Sequence, residues 1–136
     1  MFEALSLRPG HLHARAAGAT ELLGGALLAL GLATPAGAAL VIAVMVTAMV
    51  TVHLRNGIWI TNGGYEYDVV IIAAAFVLAG VGPGHWSLDN AFGSDWSSTG
   101  WALAALGAGL VGGLGAVISG RMAASRDDRK APPHPA

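Results

Sequence analysis

Three proton-exchanging side chains lie within or beside strongly apolar segments of this sequence. Glu21 interrupts the apolar run 16–33, and His53 lies near the end of the run 36–54. Glu66 comes just before a third apolar run. Imidazole and carboxylate groups are the usual general acids and bases of proteins, and histidine changes charge near neutral pH. We therefore predict Glu21, His53 and Glu66 as the catalytic residues.

Glu21 is the most informative of these residues because a carboxylate inside an apolar span is costly. The cost is at least about 2–3 kcal/mol on insertion scales, so Glu21 should face protein and have a partner or a proton. Its neighbours at helical spacings of three and four are all small: Ala17, Gly18, Gly24 and Gly25. Such a face suits close approach by a second helix. Two interpretations stay open, a structural carboxyl bonded across helices and a proton-linked or ligand-binding site.

His53 and Glu66 are separated by a short loop, so their segments should be neighbours and the two side chains can meet near one membrane face. Tyr65 or Tyr67 would add a hydroxyl group. An imidazole–carboxylate–phenol group can relay protons or hold a quinone carbonyl. We predict three cofactor contacts: both tyrosines and Met49, which lies one turn before His53. The alternative is that Glu66 only suits the helix dipole and Met49 only packs the core.

Several cofactor and ligand classes are excluded by composition. The chain has no cysteine, which removes disulfides, thiol nucleophiles and iron–sulfur ligation. His53 is the only histidine within an apolar run, so one chain cannot supply two haem ligands inside the span. We predict no metal site, and we expect no flavin. A quinone, whose carbonyl the imidazole–carboxylate–phenol group could hold, is the candidate cofactor. The net charge of −1 and the lack of a basic stripe argue against nucleic acid as a partner.

The composition is that of an integral membrane protein. Hydrophobic residues make up 54% of the chain, charged residues only 11%, and the mean hydropathy is +0.61. A soluble domain of this size would carry about a quarter charged residues. We predict an all-α membrane bundle of four helices with short loops, in a transmembrane domain of residues 1–120. The helices are expected near 16–33, 36–54, 67–82 and 100–120, and a disordered polar tail at 121–136.

The positions of the cations predict an orientation. If the four helices alternate and the C-terminus is cytoplasmic, all seven Lys and Arg residues fall on the inner side, as the positive-inside rule requires. A multi-pass protein of a bacterial plasma membrane is the expectation, with the lipid bilayer as its surroundings. A cleaved signal peptide at the first segment is the alternative, which Glu21 disfavours. The pair Gly109-xxx-Gly113 favours close helix contact within the chain or in a homo-oligomer.

Several motifs, in a fixed order, resemble the DoxX family of membrane proteins. The runs that carry the resemblance are Ala17-Gly18…Glu21-Leu22-Leu23-Gly24-Gly25…Leu28…Gly31-Leu32, Met45…Ala48…Val52-His53…Asn56-Gly57, Gly63-Gly64-Tyr65-Glu66-Tyr67 and Gly82-Pro83-Gly84…Ser87-Leu88-Asp89. Together they extend over most of residues 1–90. The resemblance implies a small helical bundle. It also implies that the family's first helix is lacking, because residues 1–13 resemble the loop that follows that helix.

The resemblance further implies a redox context. DoxD-type relatives belong to thiosulfate:quinone oxidoreductase, and actinobacterial members are linked with a membrane complex that contains superoxide dismutase and a sulfurtransferase. The leading hypothesis is a membrane subunit of a quinone-linked oxidoreductase or of an oxidative or sulfur stress-response complex, with other membrane or soluble redox subunits as partners. A structural membrane anchor or scaffold without catalytic activity is one alternative. A small-solute transporter is another, for which no inverted repeat is visible.

Overall fold

A computed structural model describes the backbone of residues 10–130 and the side chains of residues 10–126. Every regular element in this part of the chain is helical, as the sequence predicts. The elements are α1 (Gly10–Leu30), α2 (Thr34–Ala48), a π-helical turn (Met49–His53), two 3₁₀ turns (Leu54–Asn56 and Ile60–Asn62), α3 (Glu66–Val81), α4 (Leu88–Ala91) and α5 (Thr99–Lys130). Each of the four long helices covers most of one of the four apolar segments.

Helix α2 lies at the centre of the bundle and contacts α1, α3 and α5. Ala38, Ile42 and Val46 recur every four residues, so they share one face of α2, and all three are buried. They form one core with small residues of α3 and α5: Ala75, Ala79, Ala102 and Ala105. These small side chains let the neighbouring helices lie close to α2, which is how helices associate when lipid removes the hydrophobic drive between them.

Glycines bring the backbones of α1 and α5 directly against α2. A Cβ atom on Gly24 of α1 would lie 3.2 Å from the carbonyl oxygen of Gly37. On α5, a Cβ atom on Gly113 would lie only 2.6 Å from the carbonyl oxygen of Ala43. Gly109, one turn earlier, is equally close to α2. The glycine pair that the sequence assigned to contacts within or between chains thus packs within the chain.

The connection between α3 and α5 packs against the turn between α1 and α2 and bonds to it through Asp89. Asp89, which is 3% exposed, accepts a hydrogen bond at Oδ1 from the Ala33 N–H at 2.8 Å. Its Oδ2 accepts from the N–H and from the hydroxyl of Thr34, each at 3.1 Å. Ala33 has a left-handed conformation with φ 45°, which is strained for a residue other than glycine. Asp89 stabilises this turn by pairing with N–H groups that the start of α2 leaves free.

Two helices extend beyond their predicted ends. Helix α1 begins at Gly10 rather than near residue 16, and α5 continues to Lys130 rather than ending near residue 120. The sequence predicts a disordered tail from residue 121, whereas the backbone of 121–130 is helical. Met122, Ala123 and Ala124 are good helix formers, so the helix continues after the apolar run has ended. The remainder of the predicted tail, residues 131–136, lies outside the described residues.

Two helices in the described part of the chain are long and apolar enough to cross a membrane. They are Thr34–Asn56, with 23 residues, and Thr99–Arg126, with 28 residues. About 20 apolar residues are needed to cross the hydrocarbon core of a bilayer. Helix α3 has 16 residues, and α1 carries His11, His13 and Arg15 near its start. Length and composition therefore support spans for α2 and α5.

The Gly113 contact gives a matched pair of substitutions on one helix. Gly113→Ala would place a methyl group against the backbone of α2 and force α5 away from it, whereas a Cβ on Gly115 meets open space. We expect Gly113→Ala to lower the free energy of unfolding by about 1–3 kcal/mol. Gly115→Ala should leave it unchanged or raise it, because alanine favours a helix by up to about 1 kcal/mol. Unfolding by denaturing detergent, followed by circular dichroism, measures both, and equal stabilities would contradict this packing.

The Asp89 contact predicts how stability depends on pH. Burial raises the pKa of Asp89, but the hydrogen bonds from the Ala33 N–H and from the Thr34 N–H and hydroxyl outweigh it and hold the pKa below its ordinary value of 3.8. A lowered pKa in the folded protein means that this stabilisation is complete above the unfolded pKa and is lost as pH falls through the folded pKa.

We therefore expect the protein to lose stability below about pH 4, and Asp89→Asn to weaken that dependence. The side-chain amide of this variant would also place a donor against backbone donors, so its free energy of unfolding should fall by about 1–3 kcal/mol at neutral pH. Thermal unfolding in detergent from acid to neutral pH measures both effects. Glu66→Gln is the control, because its amide oxygen can still accept the hydrogen bond from the Ile60 N–H. A steep acid transition that persists unchanged in Asp89→Asn would contradict the assignment.

Candidate functional site

The connection between α2 and α3 is compact and brings the ends of these helices together. The Tyr65 N–H donates to the Gly57 carbonyl at 3.1 Å, and the Glu66 N–H donates to the Ile58 carbonyl at 2.9 Å. A Cβ atom on Gly64 would overlap the backbone of Gly57 and Ile58, so only glycine allows the chain to cross itself here. The glycine-rich sequence of this loop thus fixes where α3 begins relative to the end of α2.

This loop places His53 against Asp68 of α3. His53 Nδ1 lies 2.6 Å from Oδ2 of Asp68. The Asp68 side chain is 3% exposed, whereas the His53 side chain is 31% exposed. Asp68 lies in the first turn of α3, where the helix dipole favours a negative charge. The pair is therefore a buried carboxylate that bonds to an accessible imidazole.

The bond to Asp68 determines how His53 can use its two ring nitrogens. A carboxylate can only accept, so Nδ1 carries a hydrogen and donates it to Asp68. In the neutral ring Nε2 is then an acceptor, and it becomes a donor when the ring takes up a proton. The ring can receive and pass on a proton through Nε2 without losing its bond to Asp68.

The turn that carries His53 is a π-helix. The Leu54 N–H donates to the carbonyl of Met49, five residues earlier, and this wider turn changes the direction of the side chains that follow it. The buried Thr51 donates its hydroxyl to a carbonyl one turn earlier at 2.7 Å, and Arg55 Nη2 donates to the Thr51 carbonyl at 3.3 Å. Such π turns are frequent at functional sites.

Glu66, which is predicted from the sequence to contact His53, has a different hydrogen-bond partner. Its Oε2 accepts a hydrogen bond from the Ile60 N–H at 3.1 Å, within the α2–α3 connection. Residues two apart on a helix point to nearly opposite sides, so Glu66 and Asp68 cannot both face α2. Asp68 faces α2 and bonds to His53. The carboxylate beside His53 is therefore two residues further along the chain than expected.

A groove of about 470 Å³ lies beside α2 and is bounded by α1 and α5. Most of its walls are formed by alanine, valine, leucine and glycine residues. The polar residues that line it are His13, Thr20, Glu21, Thr47, Thr51 and His53. Two of the predicted catalytic residues, Glu21 and His53, thus line one groove. Among residues 10–126, no group of three His, Asp or Glu side chains is placed to hold a metal ion.

Glu21 and His53 lie toward opposite ends of the groove. Helices α1 and α2 run antiparallel, and Gly24 lies against Gly37, so the groove extends from this contact toward the start of α1. His13 precedes Glu21 by eight residues of helix, which corresponds to about 12 Å along the axis. His13 therefore shares the far end with His53. The groove has a carboxylate at one end and imidazole at the other, with apolar walls between them.

Glu21 itself is exposed on the surface that the described residues form. The sequence predicts that it faces protein and has a partner or a proton. No group in residues 10–126 makes a hydrogen bond to its carboxylate. Of its small neighbours, Gly24 packs on α2, whereas Gly18 and Gly25 have open space beside them. A carboxyl bonded across helices therefore lacks a partner in the described part of the chain, and the proton-linked or ligand-binding interpretation stays a prediction.

The three predicted cofactor contacts do not line this groove. Met49 is half-buried on the π turn. Tyr65 is half-buried at the start of α3, and Tyr67 is 61% exposed. Their participation in cofactor binding stays a prediction.

The structure adds two polar residues that the sequence analysis did not assign to the site, His13 and Asp68. His13 was expected in a loop, although its spacing from Ala17 and Glu21 is that of one helix face and could have revealed it. Asp68 stands next to the apolar run that begins at Val69, which is a weak signal for a buried partner. Glu66 and Asp68 are two residues apart, and which of them meets His53 depends on the rotation of α3 about its axis and not on composition.

Comparison with known protein families gives a match in the first part of the chain. Residues 1–54 match the DoxX family. The match supports a DoxX family membrane protein, and it confirms the resemblance over this segment. The DoxX segment ends at Leu54, so it contains Glu21 and His53 but not Asp68; the resemblance beyond it stays a prediction. No curated protein and no solved structure matches the chain.

The pairing of His53 with Asp68 predicts a loss of stability when the carboxylate is removed. Asp68→Ala would leave the His53 Nδ1–H without its acceptor, and we expect the free energy of unfolding to fall by about 1–3 kcal/mol. Asp68→Asn keeps an oxygen acceptor and should cost less. Glu66→Gln is the control, because its amide oxygen can still accept from the Ile60 N–H. Detergent unfolding measures stability, and ¹⁵N NMR of the ring reports which nitrogen carries the hydrogen. An unchanged tautomer together with unchanged stability in Asp68→Ala would contradict the pairing.

Proposed function

We propose that this chain is the membrane subunit of a quinone-linked oxidoreductase or of an oxidative or sulfur stress-response complex, and that the groove binds the quinone headgroup. The DoxX match and the two membrane-length helices support the membrane placement. The single observation that carries the ligand assignment is the groove itself, whose apolar walls connect Glu21 at one end to His53 at the other.

All four long helices span a bacterial plasma membrane in this proposal. Helix α1 has 21 residues and a length of about 32 Å, whereas the 16 residues of α3 reach about 24 Å. A short span is accommodated by thinning of the bilayer. Support comes from large apolar side chains of α1 and α3 that no other part of the described chain covers: Leu22, Leu23, Val69, Val70, Val77, Leu78 and Val81. Lipid chains would cover them.

The groove suits a quinone headgroup in size and chemistry. A volume of about 470 Å³ is in the usual range for small-molecule sites, which are mostly apolar with a few polar groups that fix orientation. A 1,4-quinone is a flat apolar ring with oxygen atoms on opposite edges. Those oxygens would face the Glu21 end and the imidazole end, and the apolar tail would remain in lipid.

Interconversion of a quinone and a quinol requires two protons as well as two electrons. The electrons pass to or from a redox partner subunit. His53 exchanges one proton through Nε2 while Asp68 holds the ring by Nδ1. Glu21 exchanges the other at the opposite end of the groove. His53, which is partly exposed, connects the groove to the solvent near the α2–α3 connection.

The proposal is tested on the complex that purifies with the full chain in mild detergent. Organic extraction should recover quinone from it, and the complex should turn over a soluble quinone analogue. His53→Gln keeps a hydrogen-bond donor toward Asp68 but cannot exchange a proton, so turnover should fall by about 100-fold or more. His85→Gln is the matched control, since His85 is exposed and does not line the groove. Both variants should unfold at the same temperature as the native protein.

Other outcomes would favour the alternative functions. Extracts without quinone, or full turnover in His53→Gln, would leave the chain as a structural membrane anchor. Accumulation of a small solute by vesicles that contain the purified chain alone would favour transport.

A further inference from the structure

The three threonines that line the groove donate their hydroxyl hydrogens to backbone carbonyls of their own helices. Thr20, Thr47 and Thr51 each donate to the carbonyl oxygen four residues earlier, at 2.7, 2.8 and 2.7 Å respectively. The Thr47 hydroxyl is also 3.2 Å from the carbonyl of Gly113 on α5. A hydroxyl has one hydrogen and two lone pairs, so each of these oxygens has only acceptor capacity left for a ligand.

The two groups at the ends of the groove also present acceptors. His53 gives its Nδ1–H to Asp68, which leaves Nε2 of the neutral ring as an acceptor. The form of Glu21 that can receive a proton from a ligand is the carboxylate, which has two acceptor oxygens and no hydrogen, and no donor within residues 10–126 bonds to it. His13 can present either a donor or an acceptor. Five of the six polar residues that line the groove therefore accept hydrogen bonds.

This arrangement discriminates between the two redox forms of a quinone-type ligand. A quinone oxygen can only accept, so it would face other acceptors, whereas each hydroxyl of a quinol donates. We infer that the groove selects the reduced form, a quinol, over the quinone, an inference that rests on the proposed function. One hydroxyl donates toward Glu21 and the other toward His53 Nε2.

The size of the preference follows from the hydrogen bonds involved. A single hydrogen bond made in place of an unpaired acceptor changes affinity by about tenfold. Tenfold tighter binding of the reduced form raises the midpoint potential of the bound two-electron couple by about 30 mV. At equal concentrations in the membrane, the site is then occupied mainly by quinol.

The test compares three ligands that share one ring and one short tail. They are a 1,4-benzoquinone, its quinol, and the dimethyl ether of that quinol, which has no O–H donor and does not change redox state. Binding to the full chain in lipid nanodiscs is measured by calorimetry without oxygen. The quinol should bind at least about tenfold more tightly than either of the others.

A variant tests whether the groove's acceptors cause the preference. Glu21→Gln adds an amide donor that can bond to a carbonyl, so the quinone should bind more tightly and the preference should fall to about threefold or less. Glu21 is exposed, so this substitution does not threaten the fold. Asp95→Asn makes the same change of side chain outside the groove and should leave all three affinities unchanged.

The outcomes separate this inference from the proposed function. If the quinone binds as tightly as the quinol, or more tightly, the groove is still a quinone site but the selection is wrong. Equal binding of the quinol and its dimethyl ether overturns the selection too, because shape alone would then explain affinity. If none of the three ligands binds, the proposed function fails together with the inference.

Discussion

Helix α2 touches the backbones of α1 and α5 directly, because the contact positions are glycines. Gly24 meets Gly37 on one side, and Gly113 meets Ala43 on the other. Inside a bilayer, helices gain little from hiding apolar side chains, so close van der Waals contact of this kind holds them together. The same contacts define the groove. Where α1 moves beyond the Gly24 contact, small side chains leave a space instead of filling it.

Two buried aspartates differ in the groups that donate hydrogen bonds to them. That difference distinguishes a structural carboxylate from one that can serve a reaction. Asp89 accepts hydrogen bonds from the backbone of Ala33 and from Thr34, groups that never exchange protons at ordinary pH. It locks the α1–α2 turn in place. Asp68 is buried to the same extent but accepts from His53, whose other nitrogen remains available. The first carboxylate supports the fold, and the second holds a group that can move a proton.

The groove has the features on which the proposed quinone site rests. It lies among helices whose outward surfaces carry large apolar side chains. Its polar groups lie at the ends, and the threonines between them have directed their hydrogens into their own helices. The groove therefore offers a ligand mainly hydrogen-bond acceptors. A ligand with hydroxyl groups on two opposite edges could donate to the acceptors at both ends.

The sequence by itself determined the helical class, the positions of the four long helices and the turns between them. Those features depend on local patterns: apolar runs, Thr34-Pro35 at the first turn, and the glycines of the α2–α3 connection. It also drew attention to Glu21 and His53, two polar residues in apolar runs that line the groove; their catalytic role stays a prediction. Local pattern did not determine where α5 ends, since helix formers continue past the apolar run.

Only the tertiary structure decided which groups meet. Glu66 is two residues closer to His53 in sequence than Asp68 is, but the rotation of α3 directs Asp68 toward α2 and leaves Glu66 to the loop. The start of α1 at Gly10 brings His13 to the groove, and the antiparallel packing places it at the His53 end. Each outcome depends on the angle and register between helices. That register is set by the glycine contacts of α2 with its neighbours, which are far apart in the chain and leave no local signal.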